Sequence, residues 1–189
     1  PYTTWSTVTP VHAHELLAEM DAPADTTVIG LTRAYSTRHG VGPFPSCCPK
    51  MSADMTDSGN PRNDWQGGIR FGPLDLVLLE YAARIAQVDG ILVSGLDQLS
   101  SVPRMVTSYK GVDRLDEPIS LHEQEQLTSL LTRAETIEAT TSEAGLLEAI
   151  DRIAPIAGTA QSPSHRQRDI SLGETNARDD PASLCRSPA

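Results

Sequence analysis

Apolar residues recur every three or four positions between Leu74 and Val88, placing Leu74, Val77, Leu78, Tyr81 and Ile85 on one face of a helix. Asp75 falls in the expected first turn, where the helix dipole favours a carboxylate, and Asp89-Gly90 supplies the expected stop. The same period predicts a shorter helix over Val11–Met20, opened by Pro10, with Leu16, Leu17 and Met20 opposite Glu15 and Glu19. Ser120 and Glu123 have the spacing of a capping box, starting a helix that carries Leu121, Leu127, Leu130 and Leu131 as far as Ala134. A further helix is expected over Glu143–Ile153. Shorter stretches without the helical period read differently: Thr27–Ala34 and Ile91–Val93 are expected to be buried strands, and Val102–Tyr109 and Pro155–Ala157 are further strand candidates.

A helix followed by a strand that ends in Ser94-Gly95-Leu96-Asp97 is half of an α/β unit, and ligands in such sheets sit at the carboxyl ends of the strands. Between His39 and Pro73 the chain is rich in Gly, Pro and Ser, which predicts a long functional or disordered loop. Apolar residues almost vanish after Gln161. Residues 1–160 are therefore expected to form the folded region, and 161–189 a disordered tail.

Composition narrows the function classes. The 189 residues are 39% hydrophobic but only 4% aromatic, so the core must rest on Leu, Val, Ile and Ala. Fifteen Lys and Arg against 25 Asp and Glu give a net charge of −10, which argues against a broad nucleic-acid-binding face but leaves room for a mononucleotide pocket. Cys47, Cys48 and Cys185 match neither a zinc knuckle nor a disulfide framework, as expected of reduced thiols in a cytoplasmic protein. No apolar stretch reaches the length of a membrane span, and no signal peptide is visible. The start at Pro1, inside a Thr-rich run, is that expected of a piece of a longer protein.

Arg33-Ala34-Tyr35-Ser36-Thr37-Arg38-His39-Gly40-Val41-Gly42-Pro43-Phe44-Pro45 resembles the segment AYSTR-x-G-x-GPFPTE of the adenylosuccinate synthetase family. In order and spacing, Pro1-Tyr2-Thr3-Thr4 is similar to that family's PYVT, Gly72-Pro73-Leu74-Asp75 resembles its GWLD, and Leu96-Asp97 resembles the end of its T-K-L-D motif. The resemblance covers Pro1 to Pro163 and corresponds to the later part of the family's chain. It implies an α/β fold, the C-terminal portion of a P-loop-NTPase-like synthetase fold, with a mixed sheet, flanking helices and a long Gly/Pro-rich loop. It also implies a ligase of purine nucleotide biosynthesis: GTP phosphorylates the 6-oxygen of IMP, and L-aspartate displaces the phosphate to give adenylosuccinate. Magnesium, a homodimer and a cytoplasmic location belong to the same implication.

Carried over residue by residue, the resemblance places Thr4 and His39 at IMP, Arg70 in the aspartate loop, and Gly95, Leu96, Asp97 and Ser162 at GTP. Asp97 matches the carboxylate that accepts hydrogen bonds from guanine N1 and N2. The family's phosphate loop and its catalytic Asp and His have no counterpart here. The magnesium site is therefore expected in the part not represented, and this piece alone is expected to be inactive. Departures cluster at the aspartate loop, where Gly67 and Ile69 stand at positions of family arginines, and glycine cannot replace planar guanidinium recognition of a carboxylate. Gly95 replaces the Lys of T-K-L-D, Pro45 is followed by Ser46-Cys47 instead of Thr-Glu, and the Ser-x-Gly that touches guanine appears only as Ser162 before Pro163. These changes predict a divergent paralogue, the alternative being a non-catalytic nucleotide-binding or interaction module of the same fold.

Overall fold

The computed structural model describes residues 8–20, 26–57, 59–99, 102–160 and, for the backbone, 170–172. In chain order the elements are α1 (Val11–Glu19), β1 (Ile29–Arg33), β2 (Tyr35–Arg38), α2 (Pro49–Asp54), β3 (Arg70–Asp75), α3 (Leu76–Ala86) and β4 (Gly90–Ser94). They continue with β5 (Arg104–Tyr109), α4 (Leu121–Arg133), β6 (Thr136–Thr140), α5 (Glu143–Asp151), β7 (Ile156–Ala160) and β8 (Ile170–Leu172). The fold is mixed α/β, as expected.

Strands divide into two sheets, ordered β1-β4-β7-β8 and β2-β3-β5-β6. In the first, β1, β4 and β7 are parallel and β8 closes antiparallel on β7, inside the stretch read from sequence as a tail. In the second, β3 and β5 are parallel, with β2 and β6 antiparallel at the edges. The chain passes from one sheet to the other at Ala34, whose amide still donates to the Ser94 carbonyl (2.8 Å) before Tyr35 pairs with Pro73.

Local chemistry explains most element ends. Ser120 and Glu123 form the expected capping box, Ser120 Oγ accepting from the Glu123 amide (3.2 Å) while the Glu123 carboxylate accepts from the Ser120 amide (3.1 Å). The helix expected from Leu74 begins at Leu76, because Leu74 and Asp75 pair with Met105 and Val106 of β5. Asp75 is its N-cap, with Oδ1 accepting from the Leu78 amide (3.2 Å). Gln87 stops α3 in the left-handed conformation (φ 50°), and Gly90 instead opens β4. The long loop expected from His39 to Pro73 contains α2 and most of β3, two elements without a sequence period long enough to notice. β1 is less buried than its apolar run implied. It is an edge strand, and Leu31 is 74% exposed.

Two apolar clusters share α3, which sends Leu76 and Leu79 to one and Val77, Leu78 and Tyr81 to the other. The first gathers Ala34, Leu74, Ile91, Val93, Leu146 and Ile150 beneath α3 and α5. The second gathers Val106, Tyr109 and Leu115 against α3 and α4. Asp75 is buried at 2% exposure, and its Oδ2 accepts from the Tyr109 hydroxyl (2.6 Å) while its amide donates to Ser36 Oγ (3.0 Å). Burial raises the pKa of the Asp75 carboxyl, with the Tyr109 hydroxyl and backbone amides pulling the other way. Burial, then Asp75, raises that of Tyr109. Among the described residues no helix is long and apolar enough to cross a membrane.

Tyr109→Phe leaves a buried carboxylate one donor short. Denaturant unfolding is expected to show a loss of about 1.5–3 kcal/mol, the range for a hydrogen bond to a charged group. An unchanged midpoint would mean that the carboxylate finds another partner.

Candidate functional site

Polar residues collect where the parallel strands β1, β4 and β7 end. β4 finishes at Ser94, whose hydroxyl donates back to the Thr32 carbonyl (3.0 Å). Gly95 follows in the left-handed region (φ 74°), which glycine adopts without steric cost, and its amide donates to Ala160, the last residue of β7 (3.1 Å). Leu96–Gln98 then forms one 3-10 turn carrying Asp97 in its first turn. The glycine that stands in place of a lysine is thus the residue that lets the chain turn sharply off the strand.

That turn is braced from a distance in sequence. The Tyr35 hydroxyl donates to Gln98 Oε1 (2.6 Å), next to Asp97. Burial raises the pKa of the Tyr35 phenol, Arg33 opposes, and the charges of Asp57 and Asp97 add to the rise. The Arg33 guanidinium lies 5.8 Å from the Tyr35 ring centre and donates from Nη1 to Asp57 Oδ2 (3.0 Å). The Asp57 carboxyl sits below its usual pKa: burial opposes this, and hydrogen bonds from Asn60, Arg33 and the Gly59 amide overcome it. A cavity of about 370 Å³ lies beside the brace, with Tyr35, Met51, Gln98, Leu99 and Arg104 in its wall.

His39 and Arg70 lie on the second sheet, not at this turn. Arg38 and Arg70 face one another across β2 and β3, and burial, then Arg70, lowers the pKa of Arg38. Both guanidinia hold the loop after β2. Arg38 donates to the Val41 carbonyl through Nε (3.1 Å) and Nη2 (2.8 Å), while Arg70 Nη2 donates to the carbonyls of Gly40 (2.7 Å) and Gly42 (3.2 Å). The Arg70 guanidinium also lies 5.5 Å from the Phe44 ring centre. His39 Nε2 is 3.2 Å from the Gly67 carbonyl, a contact that requires the proton on Nε2. The Asn63–Gly67 turn is closed by its own amides and by Asn63 Oδ1, which accepts from the amides of Trp65 (3.0 Å) and Gln66 (2.8 Å).

The structure therefore places Gly95, Leu96 and Asp97 at the carboxyl end of the central strand β4, and brings His39 and Arg70 together around a separate loop. Thr4 and Ser162 lie outside the described residues; Ser162 is two positions beyond Ala160, which pairs with Ser94. Sequence reasoning missed Tyr35, Gln98 and Arg38. Arg38 lay within the matched run, whereas nothing local marked Gln98. Among the described residues no three His, Cys, Asp or Glu side chains converge to hold a metal ion, so magnesium is assigned no ligand.

A family model described as adenylosuccinate synthetase matches residues 1–154. The adenylosuccinate synthetase of Syntrophobacter fumaroxidans is 36% identical over 94 residues, covering 44% of this chain and 20% of that protein. Its counterpart from Thermus thermophilus is 32% identical over 102 residues, covering 48% and 22%. The matched stretch thus spans about a fifth of these curated relatives. A solved structure, fully ligated adenylosuccinate synthetase from Plasmodium falciparum, aligns at a TM-score of 0.66 and 19% identity, over 90% of this chain and 46% of that one, a likeness of fold.

Arg70→Lys keeps the charge but removes the guanidinium whose Nη2 reaches both carbonyls and which lies over the Phe44 ring. Hydrogen exchange is expected to accelerate by about tenfold or more across residues 40–44, the size of one lost charge-assisted hydrogen bond, with the β4 and β7 amides unchanged. Uniform acceleration would make Arg70 a global stability residue instead.

Proposed function

The chain belongs to the adenylosuccinate synthetase family, and on that footing we propose that it carries the purine-base part of a GTP-dependent ligase that joins L-aspartate to IMP. The observation that carries this reading is the Gly95–Gln98 turn at the end of β4, which presents Asp97 beyond a parallel sheet and is fixed by Tyr35. A carboxylate held there accepts from both the N1–H and the exocyclic amine of guanine, a donor pair that adenine lacks. Leu96 and the backbone at Gly95 frame the base, and Ser162, carried over from the family's motif, contributes a hydroxyl to it. Thr4 offers a hydroxyl to the IMP phosphate, and the backbone at His39 faces the IMP ribose.

Phosphoryl transfer itself is assigned to the part of the family's chain not matched here. That part would bring the phosphate loop, the catalytic Asp and His, and the magnesium ion, which neutralises charge on the transferring phosphate. A cytoplasmic, homodimeric enzyme completes the proposal. At the amino-donor end the chain departs from its family. Gly67 and Ile69 offer no guanidinium, and Arg70 already binds Gly40 and Gly42. This observation favours a second reading, a nucleotide-binding module that no longer performs the ligation.

The two halves of the proposal separate by binding and turnover. In the protein carrying both parts of the site, Asp97→Asn should weaken GTP by about tenfold or more, the size of a hydrogen bond to a charged acceptor, and ITP by less, because ITP lacks the exocyclic amine. Competition binding measures this; an unchanged GTP-to-ITP ratio removes Asp97 from base recognition. Guanine-selective binding without adenylosuccinate formation would select the second reading.

A further inference from the structure

Guanine presents three polar groups in a row on one edge: the 6-oxygen accepts, while N1–H and the exocyclic amine donate. An ionised carboxylate only accepts, so Asp97 serves the two donors and the oxygen needs a donor from elsewhere. That oxygen has two lone pairs, which leaves room for a donor besides the Ser162 hydroxyl. Within Gly95-Leu96-Asp97-Gln98 the side-chain donor is Gln98. The Gly95 amide is already committed to the Ala160 carbonyl, and the Gln98 and Leu99 amides to the carbonyls of Gly95 and Leu96.

Which end of the Gln98 side chain faces outward is set by its neighbours. Gln98 is exposed, and its Oε1 lies 2.6 Å from the hydroxyl of Tyr35, a residue only 4% exposed. Either end of an amide can meet a hydroxyl, so the direction is decided by what else reaches the phenol. Arg33, which can only donate, lies 5.8 Å from the ring centre and opposes the rise in the Tyr35 pKa by charge and by a hydrogen bond. A donor on the phenol oxygen turns the hydroxyl's own proton toward Gln98, which must then offer Oε1. Nε2 is the end turned away from Tyr35, and among the described residues it makes no hydrogen bond. Asp97 is exposed next to it, and its charge reaches the same phenol. A carboxylate and an amide nitrogen thus project from consecutive residues beside one buried tyrosine.

Granting base recognition by Asp97, on which this rests, we propose that Gln98 Nε2 donates to the 6-oxygen of the guanine, with Tyr35 as its positioning residue. The two side chains then read all three groups of the edge. Adenine carries an amine at position 6, where the amide nitrogen opposes a donor with a donor. Gln98 excludes adenine at that position, and Asp97 excludes it at N1.

Three nucleotides separate the contacts in competition binding to the protein carrying both parts of the site. ITP keeps the 6-oxygen and lacks the exocyclic amine, whereas 6-thio-GTP keeps both donors and replaces the oxygen by sulfur, a poor acceptor. Gln98→Leu removes the amide; Gln98→Glu keeps an oxygen for Tyr35 and removes the donor. Both variants should weaken GTP and ITP alike by about threefold to tenfold, the size of one neutral hydrogen bond, and 6-thio-GTP by less. Because Gln98 is exposed, circular dichroism should show both variants folded. Equal weakening of all three nucleotides overturns the proposal, since Gln98 would then only hold the turn. Unchanged affinities overturn it, as does a GTP-to-ITP ratio that moves in the Gln98 variants, which would put the amide at the exocyclic amine. Failure of the Asp97 reading shows differently, as a GTP-to-ITP ratio that Asp97→Asn does not move, whatever the Gln98 variants do.

Discussion

A carboxylate with almost no access to water must have its hydrogen bonds supplied by protein, and at Asp75 that requirement organises the middle of the molecule. The residue ends β3 and caps α3, receives the Tyr109 hydroxyl from β5, and donates its amide to Ser36 on β2. Its neighbour Leu74 points into the other apolar cluster, so two consecutive residues of one strand serve both cores. The carboxylate's net pKa rise shows burial outweighing its donors, so the folded state would hold a proton more readily than the unfolded chain. The sign is opposite to a surface ion pair: this carboxyl stabilises the fold less as pH rises through the interval above its unfolded value.

The candidate site is built from the consequence. The chain leaves the first sheet at Ala34 and, as β2, joins β3 in the second, so Tyr35 stands at the junction, anchored by Pro73 on one side and Gln98 on the other. The Gly95–Gln98 turn and the His39–Arg70 loop are thus linked through one short strand.

Legibility in the sequence followed the range of the interactions. The α4 capping box was readable because both of its hydrogen bonds close within four residues, and the body of α3 because its apolar face repeats. The start of α3 was not, since Leu74 and Asp75 are claimed by β5, about thirty positions away. β6, a half-polar edge strand of Thr, Ile, Glu and Ala, exists through its pairing with β5 and carries no pattern of its own. At the site, Asp97 was visible as a polar residue after a buried strand. Its brace was not, because Tyr35 and Gln98 are 63 positions apart. Arg70 was recognisable as a surviving arginine, but only geometry reveals that its donors already hold two carbonyls.

Gly72 sits where β3 meets the loop after Pro45. A Cβ placed there would stand 1.8 Å from the Ser46 carbonyl oxygen, so the loop after Pro45 lies directly on the strand, backbone against backbone. Such a contact does not depend on the side chain of exposed Cys47, whereas the buried Ser46 side chain also lies beside Gly72. Cys47 can be replaced without lifting the loop away, whereas a single methyl on the strand would do so. The location of this loop is thus recorded in a missing atom, and substitution can rewrite its chemistry while its address stays fixed.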